Sequence, residues 1–211
     1  MSEPAPALDP RRARLELVAV VVLSLTTILT AWSAFQSSKW GGAMSIAFSE
    51  ASSARIEATR VDATANVRTS NHIGLWTEWV AAEGAGQDDV ADFLVARFPP
   101  ELTSAHEEWL AAGGVDADAE SPFALASYEL PERVEAERLR ERAAERFATA
   151  LANNQRGDNY TVLTVLFAAV LFFVAMSGRV TTLRAQQLLM GLGLALGVVG
   201  LVMLLVFPKL V

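Results

Sequence analysis

Chemistry needs reactive side chains at workable spacing, and this chain offers few. It has two histidines and no cysteine in 211 residues. Without cysteine there is no disulfide, thiol nucleophile, iron–sulfur cluster or Cys-based zinc site. His106 opens the string His106-Glu107-Glu108-Trp109-Leu110. A zinc-protease helix needs a second histidine four residues after the first, where Leu110 stands. Asp116-Ala-Asp118-Ala-Glu120 matches the start of a calcium loop, but Ser121 holds the position at which such a loop turns on glycine. His72 lies on an alanine-rich helical stripe and reads as a packed histidine. Asp88, Asp89 and Asp92 suit a helix start, where the helix dipole favours acids. Neither a glycine-rich phosphate loop nor a serine nucleophile elbow occurs. The expectation is a non-enzymatic protein with no cofactor and no metal.

The elements that position these residues follow from where the apolar residues fall. The chain is 52% hydrophobic and 19% charged, against about 25% charged for a soluble domain. The excess is concentrated. Leu17 to Phe35 is a run of 19 uncharged residues; Val162 to Ser177 is one of 16, extending to Tyr160; Leu188 to Phe207 is one of 20. A bilayer core takes roughly 20 residues of helix, with a range of about 17–25. All three runs are therefore expected to span a membrane. A signal peptide has an apolar stretch of about 7–15 residues, so the longer first run reads as an uncleaved anchor.

Orientation follows from arginine in the short flanks. Arg11, Arg12 and Arg14 precede the first run, and Arg179 and Arg184 lie between the second and third. Both flanks read as cytoplasmic; Lys209 is a lone exception outside. The expected order is a cytoplasmic tail (1–16), a span (17–35), an extracytoplasmic domain (36–159), a span (160–177), a cytoplasmic loop (178–187), a span (188–207) and an extracytoplasmic end (208–211). The net charge of −7 divides into −10 over residues 36–159 and +3 elsewhere. An acidic chain without a basic patch argues against nucleic acid.

Residues 36–159 lack alternating strand patterns but show helical periodicity. From Ala43, steps of three and four pass through Ala47, Ala51, Ala54 and Ala58 and on to His72, Leu75 and Trp79. So long a small-residue stripe suits a close helical hairpin or coiled coil. Gly41-Gly42 offers a bend. Gly84 and Gly86 end the helix. A short helix follows over Asp88–Phe98, with Val90, Phe93, Leu94 and Phe98 as its apolar side, and another over Glu101–Ala111. Ser121-Pro122 reads as an N-cap and first helical residue. Pro131 starts a long helix with Leu139, Ala143, Phe147, Ala150 and Asn154 inward and mixed charges outward, interrupted near Arg156-Gly157-Asp158. The fold class is thus an all-α membrane protein: three transmembrane helices with a long helical hairpin or bundle between spans one and two.

The spans lack internal charges, which mark ion and proton paths. Ser24, Thr27, Thr30 and Ser33 or Ala34 share roughly one face of the first and suggest helix packing, as does Gly193-x-x-x-Gly197 with Gly200 in the third. That packing is within the chain or between copies. Trp32, Lys39 and Trp40 are placed to anchor the first span at the headgroup level.

The segment from Thr30 to Gly42, with its Trp32-Ser33-Ala34-Phe35-Gln36 string, precedes a long alanine-rich helix and two closing spans. In this layout the chain resembles small bacterial membrane proteins of unknown function. The resemblance implies a multi-pass protein of the bacterial inner membrane and no particular chemistry. The expected role is an accessory or scaffold subunit. Its partners would be the lipid bilayer and either a second copy or another membrane or extracytoplasmic protein. Two other classes fit the layout: a sensor subunit lacking its own output domain, and a channel or transporter component.

Overall fold

The computed structural model describes residues 10–116 and 120–210. The N-terminal residues 1–9, Asp118 of the acidic triplet, and the side chains of Arg11, Arg12 and Asp116 lie outside the described residues. Among the described residues there are five α-helices and no strand: α1 (Pro10–Gly84), α2 (Asp88–Val95), α3 (Pro100–Ala111), α4 (Pro131–Ser177) and α5 (Leu183–Val206). Two short 3-10 turns, Gly114–Asp116 and Pro122–Ala124, lie between α3 and α4. Three helices, α1, α4 and α5, contain stretches long and apolar enough to cross a membrane. The fold is that of an all-α membrane protein.

Local chemistry explains the helix ends. The amide of Gln87 reaches the Ala82 carbonyl (2.9 Å) and that of Gly86 reaches Glu83 (3.0 Å), closing α1 with a Schellman motif. Gly86 sits at φ +66°, which a side chain would disfavour. Pro100 and Pro131 begin α3 and α4, where a missing N–H costs nothing. The Ser121 hydroxyl accepts from the Phe123 amide, capping the turn at Pro122.

The chain divides into two compact units. The first comprises residues 1–48 and 147–211. Here α1 and α4 run antiparallel: the Phe48 ring meets Phe147 (5.4 Å) and Ser37 bonds the Gly157 carbonyl. Helix α5 packs antiparallel on α4, with Gly193 at Val174 and Gly200 at Phe167. Tyr160, Leu163, Phe167, Val170 and Val174 supply the buried face of α4.

The second unit comprises residues 49–146. Its portions of α1 and α4 are also antiparallel, shown by the ion pairs Glu50–Arg146, Asp62–Arg140 and Arg68–Glu132. Within it Ala51, Ala54, Ala58, Ala65, His72 and Trp79 are buried, and Val61, Arg68 and Leu75 half-buried. The alanine-rich stripe is the face α1 turns inward.

Helix α1 runs through Gly41-Gly42 as one helix. Three local readings are corrected. Helix α4 passes through Arg156-Gly157-Asp158 without interruption. A glycine costs a helix about 1 kcal/mol. At Gly157 that cost is met by burial against the Ser37 carbonyl and Trp40 Cβ, both 3.6 Å from where a Cβ would lie. Side-chain pairs Asn154–Asp158 and Gln155–Asn159 support the same turns from outside. The inward residue at the end of the α4 face is Asn153, and Asn154 is exposed, because the buried row advances 150, 153, 157, 160. In α2 the buried side is Ala91, continuing to Phe98 beyond the helix, while Val90 and Phe93 are exposed. Phe93 is instead covered by the Arg97 guanidinium, 3.5 Å from its ring centre.

Candidate functional site

The densest arrangement of functional groups lies in the second unit, where α1, α3 and the start of α4 meet. Arg68 on α1 faces two carboxylates. Its guanidinium forks onto Glu132 of α4, with both N–O distances 3.3 Å, and reaches Glu101 of α3 at 3.4 Å. One turn along α1, His72 is buried, and its Nδ1 lies 2.9 Å from the Tyr128 hydroxyl. Burial holds the His72 pKa below the usual imidazole value; Glu101 and Glu132 pull it up and Arg68 pushes it down. Burial also raises the Tyr128 hydroxyl above its ordinary value. The result is a neutral histidine–phenol bond beside a charged guanidinium–carboxylate tie.

A second cluster surrounds His106. Its ring centre is 4.3 Å from Trp79, 5.4 Å from Phe98 and 6.1 Å from Trp109. Trp76 extends the cluster edge-on to Trp109 (5.4 Å) and Phe123 (5.9 Å). Burial lowers the His106 pKa, offset in part by Glu107. Inside this box the indole nitrogens of Trp76 and Trp79 and His106 Nδ1 have no hydrogen-bond partner among the protein atoms. Edge-to-face rings stabilise such a box by about 0.5–1.5 kcal/mol per pair beyond burial. The cluster locks α1 to α3. Among the described residues, no group of three or more His, Asp or Glu side chains is arranged to hold a metal ion.

A shallow groove of about 650 Å³ lies beside this centre, between the Leu125–Leu130 segment and α4. Leu125, Leu130 and Val134 give it an apolar floor, and Arg133, Glu137 and Arg138 stand among its lining.

The residues picked from the sequence fall in different surroundings. Trp32 is exposed with its ring tilted against Phe35 (5.7 Å), and Lys39 is exposed. Trp40 faces inward instead, 6% exposed, with Arg156 4.8 Å from its ring centre. It sits in the buried row Thr26, Ser33, Trp40, Ala47, which repeats every seven residues. Thr30 is half-buried, Ser33 buried, and Ser24 and Thr27 exposed; each hydroxyl donates to the carbonyl four residues earlier. Gly193, Gly197 and Gly200 all face α4. Arg14 lies in the first turns of α1, and Arg179 and Arg184 flank the link from α4 to α5. The opposite end of the unit joins Gln36 to Leu210 and Ser37 to Gly157.

Sequence reasoning placed His72 on a packed face but missed Tyr128, 56 residues away, and missed the Arg68 tie. The acid at the start of α4, Glu132, was its available signal.

Comparison of the chain with protein-family models, curated proteins and solved structures finds no match.

Proposed function

We propose that this chain is a three-span protein of the bacterial inner membrane acting as a non-enzymatic accessory or scaffold subunit. Its N-terminus is cytoplasmic, and the acidic segment 36–159 is the extracytoplasmic interaction domain. The observation that carries the reading is the use made of polar groups in the second unit. Arg68, Glu101, Glu132, His72 and Tyr128 are engaged with one another across α1, α3 and α4. Such ties make a rigid module that presents a surface. Orientation draws on the arginines: Arg14, Arg179 and Arg184 lie away from the Gln36–Leu210 end, at which the exposed cations are Lys39 and Lys209.

The test combines a reporter fused at Gly113 with affinity purification after crosslinking in native membranes. An extracytoplasmic signal and a specific crosslinked partner or self-adduct are expected. A cytoplasmic signal would overturn the orientation, and monomer alone would overturn the scaffold role.

A further inference from the structure

Helix α1 is covered on one side only, and the residues on its open side differ from those on the open side of α4. In the second unit an exposed row of α1 at steps of three and four runs from Ser49 to Thr77 through Ile56, Ala63, Val67 and Ser70. Ile56 is 68% exposed and Val67 63%. The row's one charge is Arg60, which pairs with Glu57 of the same helix. The outer face of α4 in the same unit carries Glu137, Arg138, Glu141 and Arg142. A helix facing water alone is normally charged on its outer side; α4 follows that rule and this row of α1 does not. In the first unit, α1 exposes a second uncharged row: Ser24, Thr27, Ala31, Ala34 and Ser38, again at steps of three and four. Small residues at that spacing let two membrane helices approach closely.

We propose that in each unit the exposed row of α1 is the docking surface for the same row of a second copy of this chain, the two helices lying parallel. Charge decides the occupant. Copies inserted in one membrane share one orientation, so a two-fold pairing sets each residue near its own equivalent. On α4 that would place Glu against Glu and Arg against Arg, whereas the rows of α1 bring only Arg60, already paired with Glu57, near its own equivalent. Size decides how the pairing holds. The row from Ser49 to Thr77 is about 42 Å long and a helix about 10 Å wide, so it covers roughly 400 Å² per partner. That is half of the roughly 800 Å² per partner of a standard interface. Confinement of both copies to one bilayer supplies the effective concentration that makes up the difference. The inference rests on the reading of the chain as membrane-anchored.

The chain has no cysteine, so each introduced one is unique. Ser49→Cys, Ala63→Cys and Ser70→Cys lie on the row; Thr64→Cys and Asn71→Cys lie off it on the same helix; Glu141→Cys and Ala144→Cys lie on α4. A short bismaleimide in native membranes should give adducts of twice the chain mass from the first group in preference to the other two. Val67→Glu in the Ala63→Cys background should lower that dimer yield about tenfold, as burial of two like charges would, with helix content by circular dichroism unchanged. Ala31→Cys should dimerise under oxidation within the membrane. Equal yields on and off the row, preference for α4, no dimer, or adducts of another mass would each overturn the pairing. The reporter at Gly113 reads orientation separately. Row-specific dimers with a cytoplasmic signal would overturn the topology alone.

Discussion

The side-chain amide of Gln36 takes both backbone groups of Leu210, accepting from its N–H at 3.0 Å and donating to its carbonyl at 3.2 Å. Gln36 is fully buried, in the core of the first unit. Beside it the Tyr160 hydroxyl donates to the Pro208 carbonyl at 3.1 Å, and the Tyr160 ring packs on Phe207. One glutamine and one tyrosine therefore fasten the segment after α5 to α1 and α4. Replacing Gln36 with leucine keeps the volume but leaves both groups of Leu210 without their partner. An unpaired buried backbone group costs about 1–3 kcal/mol. Gln36→Leu should lower the melting temperature in detergent and remove protection of the Leu210 amide from hydrogen exchange. An amide that stays protected in the variant would contradict the clasp.

The glycines of α5 are predicted to be unequal. A Cβ on Gly193 would lie 2.7 Å from Val174 Cγ2, and one on Gly200 would lie 2.7 Å from the Phe167 ring. At Gly191 it would meet nothing within 4 Å. Val174 is β-branched and Phe167 is fully buried, so neither moves cheaply. Gly193→Ala and Gly200→Ala should each cost about 1–3 kcal/mol. Gly191→Ala should be neutral or stabilising by up to about 1 kcal/mol. Unfolding in mixed micelles compares the three, and equal effects would refute this assignment of the packing face.

Much of the architecture was legible because it is periodic. The three uncharged runs and the stripe from Ala43 to Trp79 need only a count of steps, and every residue named on that stripe is buried or half-buried. What was hidden depends on partners far off in sequence. Gln36 reads as one more polar residue at a span end until Leu210 is beside it. Trp40 reads as a headgroup anchor until the heptad row turns it toward Arg156. Gly157 signals a break unless α1 is known to lie against it. Local propensity was overridden wherever a second helix packed closely.

The two histidines predict a loss of stability in mild acid. Burial depresses both the His72 and the His106 pKa. The unfolded chain then binds protons first, starting near the ordinary imidazole value of about 6.5. Stability should accordingly fall as pH drops below about 6.5, level off once the folded pKa values are passed, and be flat in this respect above about 6.5. His106→Phe keeps an aromatic ring among Trp79, Phe98 and Trp109 and should reduce the slope. Chemical denaturation at a series of pH values reads it directly. An unchanged slope in the double variant with His72→Phe would rule out the histidines as its source.

The stripe of α1 makes a prediction about size rather than charge. Ala65 is fully buried and packs in one cluster with Ala105 of α3, Tyr128 and Leu130. No exposed space adjoins it, so a larger side chain must displace its neighbours. Ala65→Leu adds three heavy atoms and should cost about 1–3 kcal/mol or more through overpacking. Ala144, on α4 and so off the open row of α1, is exposed. Ala144→Leu should change stability by no more than about 0.5 kcal/mol. The pair controls for helix propensity, since both put leucine for alanine inside a long helix. Thermal unfolding of the two variants should therefore separate by several degrees, with Tyr128 fluorescence or its ring resonances perturbed in the first alone. Equal melting temperatures would mean that Ala105, Tyr128 and Leu130 do not enclose Ala65 tightly enough to resist a larger side chain.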